Sequence, residues 1–341
     1  MRLPGSEKVI VGYDLGNKYA QISCYVTGSE EEIRTLSSVA GSSVYTIPLA
    51  LSKRQGVNQW FYGSEAIRYA GEEEGILVEN LLKLARDGEP VQIDGAPIDP
   101  VALLTLFLKR SLGLLSQVTN TERIGALMIT CEELDHRMLE VLTAATEGLH
   151  LKTDQICFQS HVESFYYYNL YQPEELWRHK TILCEYGDAS IRTYCMECNR
   201  HTTPVVAYME EREFPFPVPE SDEKMQEIAK KLCENQMISS VYLIGEAFSR
   251  DWMKESLRYL CKGRRVFQGN NLFSKGACYG MMERLTPGET GKNHVFLGKD
   301  KLKSNIGMKV PTRHCWMPES TGMKPKIPWN SICWRDELWR S

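Results

Sequence analysis

The chain has 341 residues, 43% of them hydrophobic and 25% charged, with 40 Lys and Arg against 44 Asp and Glu and a formal net charge of -4. That length suits two domains, and the composition excludes a disordered or low-complexity protein. The slight acidity offers no field to gather nucleic acid or anionic lipid, and the largely apolar run at 101–108 is far shorter than the ~20 residues of a membrane helix. The start, MRLPGSEK, lacks the apolar core of a secretory signal, so a cytoplasmic protein with no nucleic-acid or membrane partner is expected. Eleven scattered cysteines read as buried free thiols of a reducing compartment. The close pair Cys195 and Cys198, with His201 nearby, falls short of the four ligands of a structural zinc site.

In chain order, residues 8–13 (KVIVGY) predict a strand, 15–18 a turn, and the run to Val26 a second strand that returns along the first. The turn of this hairpin carries Asp14 and Gly16. Further strands are expected at 33–39, 45–51 and 60–62, and GEEE at 71–74 reads as a solvated acidic turn. Asp99 before Pro100 marks a helix start, because the carboxylate caps free N–H groups and proline tolerates the first turn. The apolar pattern carries that helix to about Val118. A buried strand at 126–129 and a helix at 132–147, stopped by Gly148, follow. A second cycle begins at Thr181 and predicts a strand at 182–186, the turn GDAS, a strand at 191–198, a helix at 222–235, a buried strand at 241–245, a helix at 251–261, a short strand at 265–267 and a helix opening near Ser274. This alternation is α/β in character.

The two hairpins resemble one another. Setting Asp14 against Glu185 puts Gly16 opposite Gly187, and Ser23 is aligned with Arg192; both elements read strand, acidic residue, glycine turn, strand. The pattern has a chemical use. The glycine lets the backbone approach a ligand, the turn N–H groups can cradle phosphate oxygens, and the carboxylate can hold Mg²⁺, usually through water. Asp14 with Gly16, Asn17 and Lys18 fits, Lys18 adding a cation for a β or γ phosphate. An ordinary capped hairpin carries the same local pattern.

Five segments then occur in the order found in the actin, Hsp70 and sugar-kinase superfamily. VGYDLGNKYAQIS is similar to its first phosphate loop. ALMITCEELDHRMLEVLTAATEGL leads to LKTDQICFQSHVESFYYY, which resembles the first connecting helix. ILCEYGDASIRTYC falls at the second phosphate loop, VYLIGEAFSRDW at the adenosine loop and NLFSKGACYG at the second connecting helix. The resemblance spans about residues 7–285 and comes nearest to bacterial Hsp70-like proteins with the same RRVFQGNNLFSKGACYG type of segment. It implies an α/β, two-lobed actin-like fold built from duplicated RNase H-like halves: lobe I at 1–180 with an insertion at about 40–120, lobe II at 181–290, and a C-terminal β region from 291.

The resemblance also implies ATP and Mg²⁺ held between the lobes. Asp14 and Glu185 would be the catalytic, metal-side carboxylates. Gly16, Asn17 and Lys18 would form the first phosphate cradle, Gly187 and Asp188 the second, and Gly245, Glu246 and Ala247 would lie against adenosine. Gly276 and Ala277 would allow close helix packing at the hinge. Departures put hydrolysis in doubt. Glu185-Tyr186-Gly187-Asp188-Ala189-Ser190 stands where these proteins have Asp and a glycine-rich turn, and Gln159 or Ser160 stands where an acidic residue positions water. Glu246 replaces the second glycine of the adenosine loop. Phe165 to Tyr168 are expected to pack at the lobe junction.

The texture changes after about Lys309: Trp316, Trp329, Trp334 and Trp339 share a proline-rich stretch with no helical or strand period, as a truncated or frameshifted tail would. The leading expectation is a nucleotide-dependent conformational switch, read by an unidentified protein partner, with slow or absent hydrolysis. The alternatives are a pseudo-ATPase scaffold and a small-molecule kinase on the same fold.

Overall fold

Strand β1 (Val9–Leu15) is buried along its whole length, which its apolar sequence VIVGYDL permits, and it turns back into β2 (Tyr19–Val26). The computed structural model describes residues 8–29, 32–39, 41–72, 75–118, 124–151, 153, 155–217 and 219–298. The chain divides after Gly298, so these residues belong to its first unit, and the four tail tryptophans lie outside them.

After β2 come β3 (Arg34–Thr35), β4 (Ile47–Pro48), β5 (Leu51–Arg54), β6 (Trp60–Tyr62), α1 (Gly63–Glu72), β7 (Gly75–Val78), α2 (Leu81–Asp87), β8 (Val91–Ile93), β9 (Ala96–Ile98) and α3 (Pro100–Leu112). β10 (Ile124–Cys131), α4 (His136–Glu147), β11 (Ile156–Ser160) and α5 (His161–Leu170) complete the first half. The second half runs β12 (Lys180–Tyr186), β13 (Ser190–Asn199), β14 (Val205–Pro215), α6 (Asp222–Cys233), β15 (Ile238–Ile244), α7 (Glu255–Leu260), β16 (Arg265–Gln268), α8 (Leu272–Leu285), α9 (Glu289–Asn293) and β17 (His294–Leu297).

Among the described residues, two six-stranded sheets dominate. One is ordered β11-β10-β1-β2-β3 with β4 also on β2, the other β16-β15-β12-β13-β14-β17. Each is built the same way. A hairpin (β1-β2, β12-β13) is antiparallel, and two parallel strands continue the sheet from its first strand: β10 and β11, or β15 and β16. A helix lies between those two strands in the chain, α4 or α7, and another follows them, α5 or α8. The architecture is α/β. β1 pairs Asp14 with Gln21 and β12 pairs Glu185 with Arg192, so the counterpart of Arg192 is Gln21 and not Ser23.

Local chemistry explains several boundaries. Asp99 accepts a hydrogen bond from the Val101 amide at 3.0 Å, starting α3 at Pro100 as expected. That helix ends at Leu112 and tightens into a 3₁₀ turn, Gly113–Gln117, short of the expected Val118. Asp135 caps α4 through the Met138 amide at 2.8 Å, so the helix opens after the cap rather than at Glu132. The expected strand at 33–39 shrinks to β3, and that at 45–51 divides into β4 and β5 after Pro48, which lacks a ladder donor. Instead of an acidic turn beginning at 71, α1 continues through Glu72. Only Glu255–Leu260 of the helix expected at 251–261 forms, and α8 opens at Leu272, two residues early. β14 has no counterpart in the sequence reading, because its run EEREFP is charged on the face it turns to water.

Helices α5 and α8 bring the sheets together. Phe165, Tyr166 and Leu170 of α5 pack with Tyr242 and Ile244 of the second sheet and with Leu272 and Phe273 of α8, and Phe165 meets Tyr242 edge-on at 5.8 Å. Ala277, Cys278 and Met281 of α8 cover Ile10, Ala126 and Met128 of the first. The approach is backbone to backbone: a Cβ on Gly12 would fall 2.1 Å from the Ser274 carbonyl oxygen, and one on Gly276 2.0 Å from that of Ser164. Gly276→Ala is therefore expected to lose about 3 kcal/mol or more in urea denaturation, since a main-chain oxygen cannot step aside. Gly71→Ala, on an open face of α1, should be neutral or gain up to about 1 kcal/mol. Equal effects of the two substitutions would refute this packing.

Candidate functional site

The two hairpin turns close in the same way. The Gly16 amide donates to the Tyr19 carbonyl at 3.0 Å, and the Gly187 amide donates to the Ser190 carbonyl at 2.8 Å. Asp14 and Glu185 occupy matching positions two residues before these glycines. Three polar ties connect the hairpins and the elements beside them. Lys18 forms an ion pair with Asp188, turn to turn. Arg192 of β13 forms an ion pair with Glu132, just beyond β10, and Asn17 donates to the same carboxylate at 3.3 Å. Glu246 lies within electrostatic reach of the Tyr19 phenol, whose pKa is raised by burial first and then by that carboxylate.

These ties differ in strength. The side chains of Lys18 and Asp188 are 60% and 83% exposed, so the pair is worth at most about 1 kcal/mol. Arg192 and Glu132 are 35% and 29% exposed. Their attraction is less screened than that of the first pair.

Below the turns lies a buried cluster. Asp14 Oδ1 is 2.8 Å from Nε2 of His161, the first residue of α5, and both side chains are nearly inaccessible. The imidazole stacks on Phe273 of α8, with ring centres 4.0 Å apart and planes 11° from parallel. Its Nδ1 is buried without a hydrogen-bond partner. Burial favours the neutral ring, but Asp14 and then Glu185 oppose it and leave the pKa of His161 raised. Glu185 is raised mainly by burial, with His161 lowering it and Asp14 raising it; the Tyr194 hydroxyl donates to Glu185 at 3.3 Å.

Sequence reasoning missed His161, because a single histidine at a helix start has no periodic signature. The residues it named for that place lie elsewhere. Ser160 caps α5 through the Glu163 amide at 3.2 Å. Gln159 is buried against the α5–α8 contact, donating to Ser164 at 2.7 Å and to the Gly276 carbonyl at 3.4 Å.

The remaining named residues fall near the second turn. Gly245 has φ +112°, and a Cβ there would lie 2.9 Å from that of Tyr186, so glycine seats this loop against the residue after Glu185. The Gly245 amide donates to Asn270 Oδ1 at 2.9 Å, and the buried Ala247 accepts from Trp252 Nε1 at 2.7 Å. Tyr186, Phe216, Phe248 and Trp252 form a contiguous aromatic group there, with Tyr186 5.5 Å from Phe216 and 5.6 Å from Phe248. Beside the first turn a cavity of about 150 Å³ is lined by Gly16, Asn17, Arg86, Cys131 and Glu132. That is below the roughly 300–1,000 Å³ of small-molecule pockets. Cys195 and Cys198 of β13 pack into different apolar clusters.

This site and its α/β frame lie in a chain whose residues 32–299 match the C-terminal region of the family of unknown function DUF5716. The chain belongs to that family. The match includes His161, Glu185 and Gly245 and begins after the first hairpin, so Asp14 and Lys18 precede it. No curated protein matches significantly.

The cluster sets a pH dependence. A folded-state pKa above the ordinary 6.5 of His161 means its stabilisation is whole below pH 6.5 and is lost as pH rises through the raised value. Glu185, also raised, acts in the same direction from its own ordinary 4.5 upward. The melting temperature should therefore fall from pH 6.5 into the mildly alkaline range, and His161→Gln should flatten that fall. Parallel profiles for the two proteins would exclude His161 as its source.

Proposed function

We propose that the chain is an actin- and Hsp70-like domain, made of two RNase H-like halves, that works as an interaction scaffold without turning over ATP. The fold assignment is supported by the shared strand plan of the two sheets and by hairpins with matching turns and carboxylates. The scaffold reading is carried by one observation: the Arg192–Glu132 ion pair, with Asn17 on the same carboxylate, already joins the two halves. Lys18, the cation a phosphate would need, faces Asp188. Polar groups of both turns thus satisfy one another, and the joined halves present a fixed surface to a protein partner.

A nucleotide switch without hydrolysis is the second reading. It is favoured by the exposure of the Lys18–Asp188 pair, which a polyphosphate could displace for about 1 kcal/mol or less. Calorimetric titration with ATP, with and without Mg²⁺, decides between them when phosphate release is followed in parallel. The scaffold gives no saturable heat at millimolar ATP. Saturable heat without phosphate release selects the switch. Phosphate release abolished by Asp14→Ala and Glu185→Ala would overturn both.

A further inference from the structure

We propose that His161 occupies the seat a divalent cation would otherwise take between Asp14 and Glu185, so that an internal imidazole organises the centre of the protein in place of a metal. The inference deepens the scaffold reading, and it rests on the assignment of Asp14 and Glu185 as equivalent carboxylates of two related halves.

Mg²⁺ bound in water between two carboxylates requires room for a hydration shell and acceptors free to face it. Neither condition suits this cluster. Oδ1 of Asp14 is engaged by Nε2 of a buried imidazole at 2.8 Å. The ring cannot readily swing aside, because one face lies flat on Phe273 at 4.0 Å and Phe273 is itself buried against the second sheet. Among the described residues, no three His, Cys, Asp or Glu side chains are arranged to hold a metal ion. Yet Asp14, His161 and Glu185 lie close enough for each to sense the charge of the others.

An imidazole hydrogen-bonded to one carboxylate and within electrostatic reach of a second does part of what a cation does: it offsets their repulsion and fixes one of them. It adds directionality, since it enters as the first residue of α5, the helix whose Ser164 carbonyl meets Gly276 of α8. The carboxylate of the first hairpin is therefore bound to the helix pair that joins the sheets, with no exchangeable ion in the connection. The three groups come from β1, α5 and β12, and Phe273 from α8 closes the stack.

Removing the ring while keeping both carboxylates should expose the seat. The test is Mn²⁺ binding to the full chain, without nucleotide, followed by electron paramagnetic resonance and calorimetry. Wild type should show only weak, unsaturated binding at millimolar Mn²⁺, while His161→Ala gains one saturable site at least about tenfold tighter, a gain of about 1.4 kcal/mol. His161→Ala with Asp14→Asn should lose it. Added imidazole should refill the cavity and compete with Mn²⁺ in the single variant, which a merely structural role for His161 would not produce. Saturable Mn²⁺ binding to wild type that Asp14→Asn abolishes overturns the proposal, as does a folded His161→Ala protein with no gained site. If His161→Ala does not fold, His161→Gln, which keeps a buried polar side chain without the ring, is titrated in its place, and a folded His161→Gln protein with no gained site overturns the proposal. Because nucleotide is absent throughout, failure here is separate from failure of the scaffold reading, which the ATP titration decides.

Discussion

Everything that joins the two sheets depends on one steric constraint: α8 must lie with its backbone against β1 on one side and α5 on the other. Gly12 and Gly276 have no side chain to prevent it, and at both places the nearest atom is a main-chain carbonyl oxygen. Close seating puts Ser274 within 2.8 Å of Ser23 and sets Phe273 under the ring of His161. The position of Asp14's partner is thus inherited from helix packing, because a ring carried by α5 and stacked on α8 can move only if both helices move. The polar ties at the hairpin turns are subordinate to this arrangement.

Burial ranks those ties. Lys18 with Asp188 is the most conspicuous pair by charge and the least consequential by energy, since water competes for both groups. Asp14 with His161 is nearly removed from solvent, and between these extremes stands Arg192 with Glu132. Screening by water therefore falls from the turn tips toward the helices. A ligand meeting the turns would first disturb the cheapest contact and would have to disrupt packing to reach the costliest.

Much of the architecture was legible in the sequence, and the failures have physical causes. The hairpin at β1–β2 announces itself through a continuous apolar strand and a glycine turn, and α3 through Asp99-Pro100, because both signals are local. β14 was invisible, since a strand with a solvent-facing run of charges reads like a loop. At the candidate site, the sequence names Asp14, Gly16, Lys18, Glu185 and Gly187 through the likeness of the two hairpins and the family resemblance, and the two turns close with matching hydrogen bonds. His161 was not found: its meaning comes from a contact with a residue 147 positions away, which no window of sequence contains. The group of Tyr186, Phe216, Phe248 and Trp252 was hidden for the same reason, as its members assemble from separate segments.

The seating of α8 also has a consequence in time. The apolar surface formed by Ile10, Ala126 and Met128 belongs to strands of the first half of the chain, whereas its cover, Ala277, Cys278 and Met281, comes from a helix near residue 280. A ribosome delivers the sheet long before the lid. During that interval the nascent chain carries an oily face with nothing to hide it, and several seconds or more of elongation at about 5–20 residues per second separate the two events. Production of this protein in the cell is thus tied to whatever shields a waiting hydrophobic sheet.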